Sequence, residues 1–301
     1  MKAFSNYDLI NRDPSIKVKF KINDNFQVKL IKLSYEKIFS FLKFALPGFK
    51  TEIDRDECIH NFLSSFEAAK KQNLISYGGI PEKNYLTLSL ISQLLNPTVY
   101  VESGFYKGCS MLAASEAKNL KSIIGFDPNH SSFEATLPKY LDVKLLKTDF
   151  SEYNFEEQDL SSSLLYFDDH INTAQRIIQA SNKGFKNLIF DDSLGLMGSV
   201  QRVYPSLPSL FFINHVNDLS EDDIIHWSLD RKRTFNFFNK ISVCFKKKQH
   251  FSFRFDKSTI ELCLEAKKRI SSIQKIPNLN DYIYSDTAMT NDLTQHFVVL
   301  K

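Results

Sequence analysis

Residues 99–110 of this 301-residue chain run Val99-Tyr100-Val101-Glu102-Ser103-Gly104-Phe105-Tyr106-Lys107-Gly108-Cys109-Ser110. They read as a buried strand that ends in a carboxylate, turns through two glycines and opens a helix. Without Cβ atoms, Gly104 and Gly108 permit a sharp turn and let a ligand lie against the backbone. The helix start adds N–H groups and a positive dipole end. A flat or anionic ligand is expected there. The spacing disfavours two ligand classes. The dinucleotide fingerprint needs Gly-x-Gly-x-x-Gly, and the triphosphate loop needs Lys-Ser/Thr after its last glycine; here the turn is Gly104-x-x-x-Gly108, followed by Cys109-Ser110.

Four later strand-like runs also end in acids. Ser122–Phe126 is followed by Asp127, Val143–Lys147 by Thr148-Asp149-Phe150, Leu164–Phe167 by Asp168-Asp169-His170, and Asn187–Phe190 by Asp191-Asp192-Ser193. Helical patterns, notably over Lys107–Leu120 and Asn172–Lys183, separate most of them. In an open parallel sheet such ends share one edge, where ligands bind. A single Asp there is an ordinary cap, but five strand ends in register point to a site. Asp127 stands about 20 residues past the glycines, where an acid accepts hydrogen bonds from ribose hydroxyls. Asp168, Asp169, Asp191 and Asp192 offer hard oxygen ligands suited to magnesium, calcium or manganese. His170 and His215 are the imidazoles near this edge, with a side chain suited to general base chemistry.

The set Glu102-x-Gly104-x-Tyr106-x-Gly108-x-Ser110, with Asp127, Asp169-His170 and Asp192, resembles the class I S-adenosylmethionine-dependent methyltransferases, and most closely their metal-dependent, catechol O-methyltransferase-like branch. The resemblance covers roughly residues 76–194. It implies an α/β fold: a doubly wound, mostly parallel, seven-stranded Rossmann-like sheet. It also implies that Glu102, Gly104, Tyr106, Gly108 and Ser110 surround the methionine part of the cofactor, that Asp127 binds its ribose, and that Asp149 and Phe150 border the adenine. A divalent cation, magnesium in that branch, would be held by Asp169, Asp192 and Ser193. The family has an amide at the Ser193 position, and Asp191 is the replacement ligand. The family's lysine base stands three residues after the first metal acid, where this chain has Asn172. His170 is the substitute base, and His170, Asp169 and Asp191 are the catalytic candidates. The implied reaction is methylation of a hydroxyl on a sugar, sugar nucleotide or natural product. Two alternatives stay open: a metal-dependent hydrolase or hydroxylase on the same scaffold, and a non-catalytic methyltransferase-like binding protein.

The positioning elements follow from pattern. Residues 1–75 read as an N-terminal extension, with a hairpin of Lys17–Ile22 and Phe26–Leu33 followed by helices over Ser34–Leu46 and Asp54–Lys71. This layer covers the substrate, forms a homodimer surface or packs on the sheet. Residues 76–301 read as the methyltransferase domain, entered through Tyr77-Gly78-Gly79-Ile80-Pro81 and a helix over Glu82–Leu95. A lid-like insertion is expected near 194–240, with Leu194–Leu219 irregular and Phe211, Phe212 and His215 facing either substrate or a buried aromatic cluster. A helix over Lys257–Lys275 and strands at Asp281–Tyr284 and Gln295–Leu300 would close the domain.

A net charge of +3 and 24% charged residues describe an ordinary surface and demand no nucleic-acid partner. Asp230-Arg231-Lys232-Arg233 and Lys246-Lys247-Lys248 read as solvated basic faces. The four cysteines, Cys58, Cys109, Cys244 and Cys263, lack metal-type spacing, which favours reduced thiols. With no signal peptide and no membrane-span pattern, a cytoplasmic protein is expected.

Overall fold

The computed structural model describes residues 24–75, 82–128, 132–155, 159–193, 200–201, 204–237, 241–279 and 294–301. Helices α1 (Asp24–Ala45), α2 (Arg55–Lys71) and α3 (Glu82–Leu95) precede the first strand. Helix α1 buries Ile31, Tyr35, Ile38, Leu42 and Ala45, an alternating spacing of four and three that a single helical face requires. The strand expected over Phe26–Leu33 is therefore the first half of α1, and Lys17–Ile22 lies outside the described residues. Asp54 caps α2 by accepting the amides of Asp56 and Glu57.

The chain then alternates through β1 (Val99–Ser103), α4 (Cys109–Ala114), β2 (Ser122–Phe126), β3 (Asp142–Leu146), β4 (Ser163–Phe167), α5 (Thr173–Asn182) and β5 (Asn187–Ser193). Next come the two-residue strands β6 (Val200–Gln201) and β7 (Tyr204–Pro205), helix α6 (Leu210–Asn214), and a long ribbon of β8 (Ile224–Phe237) and β9 (Ile241–Arg254). Helix α7 (Lys257–Arg269), β10 (Ile270–Lys275) and β11 (Thr294–Leu300) complete the fold. The helix expected through Lys275 thus stops at Arg269 and its last six residues become β10. The strand expected at Asp281–Tyr284 and the turn Tyr77–Pro81 lie outside the described residues.

The main sheet has seven strands in the order β10-β11-β5-β4-β1-β2-β3. Strands β1 to β5 pair in parallel, and β11 runs antiparallel to both its neighbours. This is the doubly wound, mostly parallel, seven-stranded Rossmann-like sheet that the resemblance implied. Alternate residues divide between two cores. Tyr100, Ile123, Leu164, Tyr166 and Ile189 pack with α1 to α4, and Val101, Ile124, Leu165, Phe167 and Phe190 pack with α5 to α7. The chain reverses its winding between β1 and β4, so their carboxyl ends flank the topological switch point where such sheets bind ligands. Among the described residues no helix is long and apolar enough to cross a membrane.

Candidate active site

The turn after β1 packs so closely that its glycines are obligatory. Gly104 has φ +92°, and a Cβ there would stand 2.6 Å from the Asp168 carbonyl oxygen and 2.9 Å from the Asp169 nitrogen. The loops after β1 and β4 therefore meet backbone to backbone, joined by the Asp168 amide donating to the Ser103 carbonyl at 2.9 Å. Gly108 has φ +81° and faces the Phe133 ring. The amides of Glu134 and Ala135 donate to the Lys107 carbonyl, closing the outer side of the turn.

Glu102 is fully buried beneath this turn. Ser110 donates to one carboxyl oxygen and Tyr100 to the other, at 2.9 Å from the latter. Burial pushes its carboxyl up to about 8, so it holds a proton at neutral pH. Glu102 and Ser110 thus brace β1 against α4, and neither lies bare on the rim. Asp127 is at the rim. Its carboxylate, half-buried past the end of β2, accepts the Tyr106 amide at 3.3 Å, while its own amide is anchored on the Leu146 carbonyl. Tyr106 has φ +40° and is exposed, which brings its backbone to the acid.

The residue that organises the far side was missed in the sequence. Arg176 on α5 is only 3% exposed and forks onto Asp149, with Nη1 donating at 2.9 Å and Nη2 at 2.6 Å. Its Nε donates to Asp169 at 2.8 Å, and the Ser103 hydroxyl donates to the same Asp169 oxygen. The Arg176 hydrogen bonds hold the Asp149 carboxyl well below the ordinary range. Burial raises Asp169, against the pull of the same guanidinium. A signal for Arg176 existed: it lies between Thr173, Ala174, Ile177 and Ala180 on the buried stripe of α5. A charge on that stripe needs buried counter-charges.

Phe150 departs from its expected role beside a bound base. Its ring has no exposure and packs edge-on against Phe126 and Phe167 and beside Phe155 and Phe185. Its neighbour Asp149 points instead to Arg176 and caps a short turn by accepting the Ser151 amide. Asn172, at the family's lysine position, is the N-cap of α5 and accepts the Gln175 amide.

At the end of β4, His170 Nε2 lies 3.0 Å from Asp168 Oδ1, with His170 in the left-handed region at φ +55°. Burial raises the Asp168 carboxyl, and the contact with His170 opposes the shift. At the end of the neighbouring strand β5, the Asp191 carboxylate takes the Asn84 amide at 3.0 Å and the Tyr166 hydroxyl, which also accepts from Gln295. Tyr166 belongs to the core beneath α1 to α4, whereas Asp169 binds an arginine from α5. A cation at Asp169 would sit against a guanidinium. Among the described residues no three His, Cys, Asp or Glu side chains gather as a metal site. The side chains of Asp192 and Ser193 lie outside the described residues. Of the expected magnesium ligands, Asp169 is thus tied to Arg176, and the replacement Asp191 to Asn84 and Tyr166. In the expected lid, Phe212 belongs to a buried cluster with Leu207 and Phe255, while Phe211 is partly exposed beside His215.

No family model matches the sequence, and no curated protein matches it. Solved structures do resemble it. An O-methyltransferase from Bacillus cereus in complex with SAH aligns at 11% identity and a TM-score of 0.41, over 89% of this chain and 99% of that one. The O-methyltransferase TomG from Streptomyces achromogenes, in complex with SAM, aligns at 11% identity and a TM-score of 0.36, over 66% and 92%. A methyltransferase from Geobacter sulfurreducens aligns at 16% identity and a TM-score of 0.33, over 62% and 91%. The strand order described above, rather than these distant alignments, carries the fold assignment.

Proposed function

We propose that this chain is an S-adenosylmethionine-dependent methyltransferase that acts on a hydroxyl of a small molecule. One observation carries the reading: Asp127 stands at the carboxyl end of β2, held by the Tyr106 amide, beside a positive-φ glycine turn at the switch point of a methyltransferase sheet. A carboxylate there would hold the ribose hydroxyls, and the turn from Gly104 to Gly108 would hold the methionine moiety. Glu102 and Ser110 support that turn from below.

The acceptor hydroxyl loses its proton to His170, which Asp168 holds through Nε2. S-adenosylmethionine, when bound, would supply the methyl group for in-line displacement by that oxygen, and His170 would keep the proton it took from the acceptor hydroxyl. No step is assigned to a divalent cation, because Arg176 already neutralises Asp169. The acceptor in this reading is a hydroxyl of a sugar, sugar nucleotide or natural product.

Titration calorimetry with S-adenosylmethionine and S-adenosylhomocysteine tests the cofactor directly. Asp127→Ala should weaken either ligand by about 1–3 kcal/mol, the worth of charged hydrogen bonds left unmade. An absence of heat at millimolar cofactor, or unchanged affinity in this variant, would remove the proposal.

A further inference from the structure

The two basic clusters of the sequence, which the methyltransferase reading leaves unused, are brought face to face by the ribbon. Its register pairs Asp230 with Lys248, Arg231 with Lys247, Lys232 with Lys246 and Arg233 with Phe245. Six cations and a single acid therefore share four adjacent rungs, a band roughly 10 Å long at the usual strand rise. Two rungs set like charges directly opposite each other, an arrangement that destabilises an antiparallel pair.

Register parity adds a second pattern. The pairs Ile225–Phe253, Trp227–Phe251, Leu229–Gln249, Arg231–Lys247, Arg233–Phe245, Phe235–Val243 and Phe237–Ile241 alternate with the others and share one face of the ribbon. At the base of that face, Ile225, Trp227 and Phe253 pack against Leu207, Phe212 and Phe255. Beyond the base come the cationic rungs, and beyond those an apolar distal segment of Phe235, Phe237, Ile241 and Val243. The ribbon is a sheet of two strands, with no third strand paired to it among the described residues. Such a ribbon is marginal in water unless something covers it.

We propose that the distal half of this ribbon binds the surface of an anionic phospholipid bilayer. A basic collar followed by an apolar end matches the layering of that surface, with phosphates outside and acyl chains within. Anionic headgroups would also relieve the opposed cations. A second copy of the chain fits less well, since a symmetric contact would set one basic band against the other. Nucleic acid would satisfy the cations but gives Ile241 and Val243 nothing to stack on. The inference is independent of the methyltransferase reading.

Flotation of the full chain with phosphatidylcholine vesicles, with and without phosphatidylglycerol, tests it. The chain should float with the anionic vesicles only, and added salt should release it. Each cation near such a surface is worth about fivefold in affinity, so the combined variant Arg231→Gln, Lys232→Gln, Lys246→Gln, Lys247→Gln should bind at least about a hundredfold more weakly. Phe235→Ser with Phe237→Ser should bind about tenfold more weakly and keep the salt dependence. Both variants should keep the parental thermal midpoint, which separates lost binding from lost folding. Three results would overturn the proposal: no flotation at low salt, equal binding of parent and variants, or flotation with neutral vesicles alone. A concentration-dependent dimer, or RNA retention, that the same substitutions abolish in a chain that does not float would assign the ribbon to that partner instead.

Discussion

Replacing Arg176 by Met should be the most damaging single change near the candidate site, and its cost should depend on pH. The guanidinium is 3% exposed, while Asp169 is 11% and Asp149 28% exposed, so the variant strands one buried carboxylate and one partly solvated one. Breaking a buried ion pair from one side costs about 3–5 kcal/mol. The solvent around Asp149 screens its share, which puts the expectation near the lower end, about 3 kcal/mol. Unfolding entropy for a chain of this length is roughly 0.6 kcal/mol/K, so the midpoint should fall by about 5 °C at pH 7. The sign with pH follows from Asp149. Its carboxyl is depressed by Arg176, so the stability it brings is present above its ordinary value near 4 and is lost as pH falls through its lower folded value. The penalty of Arg176→Met should therefore be largest at neutral pH and shrink toward pH 4, where both carboxyls take up protons in the variant. Adding Asp169→Asn should restore about half of the loss, because it removes the buried charge left behind. Thermal unfolding followed by circular dichroism at pH 7 and pH 4 measures all of this. A midpoint within about 1 °C of the parent at pH 7, or a penalty that grows in acid, would refute the reasoning.

Glu102→Gln should act in the opposite direction. Burial raises the Glu102 carboxyl to about 8, so the parent loses stability as pH rises from its unfolded value near 4.5 through 8, by up to about 1.4 kcal/mol per unit. The amide variant should show a flatter profile over that range, and an unchanged slope in denaturant titrations would count against a buried, protonated Glu102. His170→Asn should lower turnover by about a hundredfold, the usual worth of a general base, while calorimetric affinity for S-adenosylhomocysteine stays within twofold. A matching loss of both would make His170 a structural residue.

What could be read before the structure, and what could not, divides along physical lines. Strands β1, β2, β4 and β5 are short apolar runs with Gly or Asp at their ends, and both faces of the sheet are covered there, so composition alone marks them. From Phe26 to Leu30 apolar residues alternate with Gln27 and Lys29, a strand-like period of two over five residues. Only over the full length of α1 does the spacing of Ile31, Tyr35, Ile38 and Leu42 reveal a helix. Ile270 and Ile273 continue the spacing of Ala266 on α7, which hid the switch to β10 at Arg269. Strand β8 went unseen because Arg231 and Arg233 occupy positions that an apolar alternation would need. At the candidate site, residue types at strand ends were legible from spacing. The partners were not: that Asp169 would be tied to Arg176 and Asp191 to Tyr166 depends on contacts across the fold.

Strand β11 lies between β5 and β10 although about 100 residues separate it from β5 along the chain. It acts as a keystone. Until residues 294–300 slide into place, β10 has no neighbour in the sheet and β5 keeps an open edge. Assembly of this half of the sheet must therefore wait for the most distant strand pairing, whereas β1, β2 and β3 close over short crossovers. Amide protection should consequently appear in two waves during refolding, with β11 and β10 arriving together in the second.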